Sequence, residues 1–184
     1  MSFIVVAYYT KNTGYEEEVK HLVASLDNHK LKRDISGIES QGDWQANTHF
    51  KPYFIKQMLT KHFPSNLLYL DADARVEQHP KLLDSASYDI GVHYKDNKEL
   101  LGSMLYLRNN GKIFELIERW ITCCFAQPQI WDQKILQYVI QESEDLNLII
   151  EHLPATYCQI FDLMRSAGEP VIQQFQASRR FKKS

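Results

Sequence analysis

Apolar and polar positions along the chain alternate between strand-like and helix-like patterns. Phe3–Tyr9 is an almost unbroken β-branched and aromatic run, as a strand covered on both faces requires. From Gly14 onward, Tyr15, Val19, Leu22, Val23 and Leu26 recur at helical spacing. Glu16, Glu17 and Glu18 stand where the helix dipole favours anions. A short strand is predicted around Leu31–Ile38, ending in the turn-rich ESQGDW. Pro52 is tolerable only in the first turn of the next helix, which carries Phe54, Met58 and Leu59 towards Lys61. NLLYLDADARV follows, an apolar strand that finishes in acids.

Tyr88–Tyr94 and Leu100–Leu107 read as two further strands. Over Gly111–Phe125, Ile113, Leu116, Ile117, Trp120, Ile121 and Cys124 form one helical stripe. Asp132 opens another helix, with Ile135, Leu136 and Val139 inward. Leu148–Leu153 and Pro170–Phe175 look like late strands. Strands alternating with helices predict an α/β sandwich around a largely parallel sheet, and the consecutive strands in the middle make it mixed.

With 184 residues, 44% hydrophobic and 24% charged, and only 7 Gly and 6 Pro, disorder and collagen-like repeats are excluded as the main state. No repeat or linker splits the sequence. One domain over residues 1–178 is expected, followed by a basic tail at 179–184. The 21 Lys and Arg against 23 Asp and Glu leave a net charge of −2, no excess that marks a nucleic-acid partner. Three cysteines are too few for a secreted disulfide scaffold, no apolar run approaches the ~18 residues of a membrane span, and the start lacks signal-peptide features. A reducing, cytoplasmic setting is expected. The tail RRFKKS is either a solvated terminus or a contact to phosphate or an anionic membrane surface.

Asp71 and Asp73 carry the candidate chemistry. Ligands of α/β sheets sit outside the carboxyl ends of the strands, which is where these acids fall. Spaced by two on an extended chain, they project to one side while Ala72 turns away. Two such carboxylates repel unless a cation joins them, and Mg²⁺ or Mn²⁺ held by one or two carboxylates plus substrate phosphates is the usual arrangement. The plain alternative is a loop Asp that caps the following segment.

YLDADARV resembles the Asp-x-Asp motif of nucleotide-sugar glycosyltransferases of the GT-A fold. LLGSMLYLRNNGKIFELIERW is similar to the small-residue, strand-then-helix block of the retaining glycogenin-like and nucleotide-diphospho-sugar transferase families. WDQKILQYVI is similar to their later Asp-Gln helix start, and QGDWQANTHFKPYFIKQML to the segment that precedes the acids. The resemblance implies a GT-A-like (Rossmann-like) α/β/α sandwich with a central mixed, mostly parallel sheet. It implies a retaining transferase with a nucleotide-sugar donor, UDP-sugar favoured, and Mn²⁺ or Mg²⁺. Asp71 would meet the ribose or sugar and, with Asp73, the metal. Gly102 and Ser103 would let the backbone approach the donor sugar. Asp132 would bind sugar hydroxyls, and Gln133 would sit beside the anomeric carbon; an N-cap on the Gln133–Gln141 helix is the simpler role for Asp132.

Thr10, at the end of the first strand, is the candidate for nucleotide contact, and Lys51 and Lys56 for the diphosphate. Trp44 reads as either a base- or sugar-packing ring or a hydrophobic plug. Where related enzymes place a metal-binding His near the end, this chain has VIQQFQASRR, so Gln173 or Gln174 would be a neutral, weaker third ligand, with Arg179 and Arg180 as compensating phosphate contacts. The seven His show no metal-ligand spacing; His93 reads as a satisfied edge residue. Haloacid-dehalogenase-like phosphatases share a strand-end Asp-x-Asp, but want Thr or Val where Arg75 stands. A non-catalytic nucleotide-sugar-binding or interaction module is the other alternative. The acceptor, whether glycan, lipid or protein, is not written in the sequence, and the short chain points to an acceptor side that is open or completed by a partner or a membrane surface.

Overall fold

The computed structural model describes residues 3–181. Its central sheet has six strands: β1 (Phe3–Thr10), β2 (Arg33–Ile38), β3 (Asn66–Leu70), β5 (Ile90–Lys95), β6 (Glu99–Leu107) and β7 (Ile150–His152), in the order β2-β1-β3-β6-β5-β7. β1 is parallel to β2 and β3, and β5 is parallel to β7. β6 runs antiparallel to both of its neighbours, so it alone of these six is reversed. The mixed, mostly parallel sheet predicted above is therefore present.

Strand alternation sends side chains into two cores. Leu68 and Leu70 of β3 join Val5 and Ala7 of β1 against α1 (Tyr15–Asn28), through Leu22 and Leu26. Leu67 and Tyr69 point the other way, towards α3 (Lys51–Lys61), α4 (Gly111–Ala126) and α5 (Asp132–Gln141), whose Phe54, Leu116, Trp120 and Leu136 are all buried. Pro52 sits in the first turn of α3, as its missing N–H demands. The Asn110 side chain caps α4 by accepting from the Ile113 amide.

Two features go beyond the predicted elements: the strand expected over Pro170–Phe175 is present at Ile172–Gln174 but belongs to a separate sheet, and an extra short helix appears. A second sheet of three short strands, β4 (Ala74–Val76), β9 (Ile172–Gln174) and β8 (Gln159–Ile160), packs with α1 on one face. That layer of the sandwich is thus part helix and part sheet. A short helix, α2 (Trp44–His49), follows the turn-rich ESQGDW and begins at its last residue, capped by the Asp43 side chain on the Ala46 amide. The segment at 179–181 is not a frayed tail: it closes helix α6 (Ser178–Phe181), with Phe181 edge-on to Tyr15 at 5.1 Å and Arg180 paired with Glu18. Lys182, Lys183 and Ser184, the rest of the basic tail, lie outside the described residues.

The three cysteines are free, and His93 is satisfied at the sheet edge by the Leu153 carbonyl at 2.9 Å. No helix among the described residues is long and apolar enough to cross a membrane. Trp120 ties the larger core to the cleft, because its fully buried ring also donates Nε1–H to the Asp132 carbonyl at 3.0 Å. Trp120→Ala is expected to lower unfolding stability by about 3–5 kcal/mol, read from urea denaturation.

Candidate active site

A cleft of about 1160 Å³ opens where β1 and β3 end and the reversed β6 begins. Parallel strands bring their carboxyl ends to one edge, and the reversed strand contributes its first residues to that same edge. Thr10, Asp71, Asp73, Ser103, Asp132 and Gln133 all line it.

The acids do not lie on an extended strand. The chain turns immediately after β3, with the Ala74 amide donating to the Asp71 carbonyl at 3.0 Å, and Ala72 faces the cleft between them. The turn is anchored on β6, whose Ser103 carbonyl accepts from the Asp71 amide at 3.0 Å. Asp71 Oδ1 accepts from the Tyr69 hydroxyl at 2.8 Å. Tyr69 lies on β3, two residues before the acid.

Asp73 is only 8% exposed and accepts the Ala177 amide on Oδ2 at 2.6 Å. Its carboxyl is pushed up to about 6, first by burial and then by the charge of Asp71, against the pull of the amide. Two oxygens, Asp71 Oδ2 and Asp73 Oδ1, lie beyond these contacts.

Lys51, predicted as a diphosphate contact, lines the cleft and meets two carboxylates there. It is 5% exposed, and its Nζ lies 2.9 Å from Asp132 Oδ2 and 3.4 Å from Asp71 Oδ1, and donates to the Gly102 carbonyl at 3.0 Å. Burial alone would lower its pKa, but the Asp132 and Asp71 charges outweigh that and raise it. The ammonium therefore holds two carboxylates in place. Burial raises the hydroxyls of Tyr8 and Tyr69 beside it, so both stay protonated donors.

Asp132 is the first residue of α5 and not its cap, which is Trp131 without a side-chain bond. Its carboxylate, 5% exposed, turns to Lys51 instead. Gln133 lies beside it and donates from Nε2 to Glu99 Oε1 at 3.0 Å. Gly102 stands behind the cleft wall; a Cβ there would meet that of Gln133 at 3.0 Å, so the glycine admits α5 close to β6.

Other predicted residues are placed differently. Gln174 is fully buried in β9 and is not among the residues that line the cleft; its Nε2 donates to the Ser103 carbonyl at 3.4 Å. Gln176, at φ 52°, lines the cleft in its stead. Gln173 lies with Gln159 at 3.4 Å. Arg179 faces the cleft but is paired with Asp162 at 2.6 Å, and Lys56 pairs with Glu118 on α4. Trp44 meets Trp131 edge-on at 6.2 Å on the rim. Tyr15, Glu99 and Phe181 line the cleft without having been singled out, because the residues that meet them come from distant parts of the chain.

No protein-family model and no curated protein matches the chain. Solved structures do resemble it. One is a glycosyltransferase involved in the glycosylation of the major capsid of PBCV-1: TM-score 0.75, 14% identity, 98% of this chain and 96% of that one. GlyE, a glycosyltransferase of Streptococcus pneumoniae TIGR4, gives TM-score 0.68 at 13% identity, covering 95% of this chain and 54% of its own. The galactosyltransferase LgtC, solved with donor and acceptor sugar analogs, gives TM-score 0.57 at 10% identity, covering 95% and 87%. The fold is the GT-A-type fold of these glycosyltransferases, as the resemblance in the sequence implied.

Two outcomes follow from the charges. Lys51→Met leaves Asp132 buried without its cation and is expected to cost about 3–5 kcal/mol in urea unfolding, part of which Lys51→Met/Asp132→Leu recovers. Asp73 binds its proton more tightly folded than unfolded, so protonation favours the fold at acid pH, and that contribution is lost as pH rises from about 4 to about 6. In chelator-treated protein, Asp73→Asn is expected to have a higher urea midpoint than the wild type above pH 6. The two midpoints should converge near pH 4.

Proposed function

We propose that this protein is a glycosyltransferase that moves a sugar from a nucleotide-diphosphate-sugar donor, with UDP-sugars favoured, to an acceptor, using Mn²⁺ or Mg²⁺ at Asp71 and Asp73. The observation that carries this reading is the pair of acids at the end of β3, lining a large cleft in a fold shared with glycosyltransferases. The donor set fits a hard divalent cation. Two carboxylates crowd one turn and both line the cleft, one of them held up to about 6 partly by the other's charge. No cluster of three or more His, Cys, Asp or Glu able to hold a metal stands among the described residues, so the remaining ligands would be diphosphate oxygens and water. Such a cation, when bound, supplies a Lewis acid that offsets charge on the leaving diphosphate.

The chain's own residues do the rest. Thr10 and Tyr15, at the end of β1 and the start of α1, border the nucleotide end of the cleft. Lys51 orients Asp132, so that its carboxylate accepts hydrogen bonds from donor-sugar hydroxyls. Gln133, the next residue, lies beside the position the anomeric carbon would take. Retention of configuration requires no strong nucleophile here: a donor phosphate oxygen takes the acceptor's proton, while the Gln133 amide faces the positive charge that develops on the sugar.

A panel of UDP- and GDP-sugars with Mn²⁺ tests the reading. Slow hydrolysis or transfer is expected, lowered by about two orders of magnitude in Asp73→Asn and Asp71→Asn, with retained anomeric configuration in the product by NMR. Metal-dependent turnover that survives in Asp73→Asn removes the metal assignment. Turnover of a generic phosphate monoester, lost in Asp71→Asn, identifies a phosphatase instead. Nucleotide-sugar binding without turnover identifies a binding module.

A further inference from the structure

We propose that Glu99 is a positioning residue that fixes which end of the Gln133 amide faces the cleft; this deepens the glycosyltransferase reading and rests on it. Gln133 Nε2 lies 3.0 Å from Glu99 Oε1, and both residues line the cleft. The Glu99 carboxylate oxygen is the acceptor in this contact and the amide nitrogen the donor. The amide nitrogen must therefore turn to Glu99, which leaves Gln133 Oε1 on the opposite side of the amide. An amide oxygen presents partial negative charge to a sugar that becomes cationic as its bond to phosphate breaks. The flipped amide would present N–H groups and oppose it.

The surrounding framework holds this pair in register. One helical turn after Gln133, Gln137 donates from Nε2 to the Lys98 carbonyl at 2.9 Å and accepts from the Leu100 amide on Oε1 at 3.0 Å. It grips the backbone on both sides of Glu99. The turn between β5 and β6 has Asp96 and Asn97 at φ 51° and 57°, the pairing that closes a tight hairpin, and brings Lys95 opposite Glu99. Gly102 lets α5 in so closely that a Cβ would stand 3.0 Å from that of Gln133. With helix and strand locked together at two glutamines and one glycine, a single carboxylate at position 99 is enough to set the amide.

A double-mutant cycle tests the assignment. Glu99→Ala is expected to lower kcat for donor hydrolysis about tenfold, while nucleotide-sugar affinity by calorimetry is unchanged. In a Gln133→Ala background the same change should cost less than about twofold, because no amide remains to be oriented. Glu99→Gln, which can still accept through Oε1, should recover part of the rate. A loss from Glu99→Ala that is equally large in both backgrounds overturns the proposal. The side-chain amide resonance of Gln133, identified by its disappearance in Gln133→Ala, provides a second measurement that needs no turnover. It is expected to shift in Glu99→Ala, and an unmoved resonance also overturns the proposal. Absence of nucleotide-sugar turnover in the wild type would instead count against the glycosyltransferase reading, with the NMR result separately deciding the contact.

Discussion

Lys51 carries a buried positive charge into a place where, by itself, it would be expelled. It stands at the first position of α3, where the helix dipole already disfavours a cation, and almost none of it reaches water. What keeps it there is the pair of carboxylates that converge on it, Asp132 from the start of α5 and Asp71 from the end of β3. Removing Lys51 leaves two carboxylates without their cation, whereas removing either acid leaves the ammonium a single partner. Three elements distant in sequence are therefore fixed relative to one another by a single ammonium, and the open edge of the sheet acquires a defined geometry.

The same triad explains how two neighbouring acids come to differ. Asp71 shares the cation and a tyrosine hydroxyl, whereas Asp73 is buried with a backbone amide as partner and is pushed towards its protonated form by burial and by Asp71. One strand end thus presents a compensated carboxylate and one short of positive charge. That asymmetry is set by what each acid meets, an ammonium for one and a backbone amide for the other.

Much of the architecture was legible because its signals are strong and local. β1, β3, α1 and α4 have long apolar runs or stripes, and the acids after β3 stand out against them. The second sheet was legible only at β9, inside the predicted Pro170–Phe175 strand, since β4 and β8 span three and two residues, too few to show a period. α2 escaped for another reason: its polar sequence has no apolar face, and it is held by distant bonds, among them the Tyr8 hydroxyl to the Asn47 carbonyl at 2.8 Å. The site was legible in composition but not in pairing. Lys51, Asp71 and Asp132 were each visible, yet their meeting is a product of tertiary packing. Gln174 shows the limit most sharply, because pairing with Ala74 in β9 turns it inward and leaves Gln176 to face the cleft.

The reversed direction of β6 has a consequence for how such a protein can diversify. Because β5 and β6 are joined by a hairpin at the cleft edge, the loop there can lengthen or shorten while the acids stay where β3 puts them. Loop closure grows costlier only slowly with length. The rim next to Glu99 is thus a place where insertion can reshape the mouth of the cleft, with the positions of the acids inherited intact.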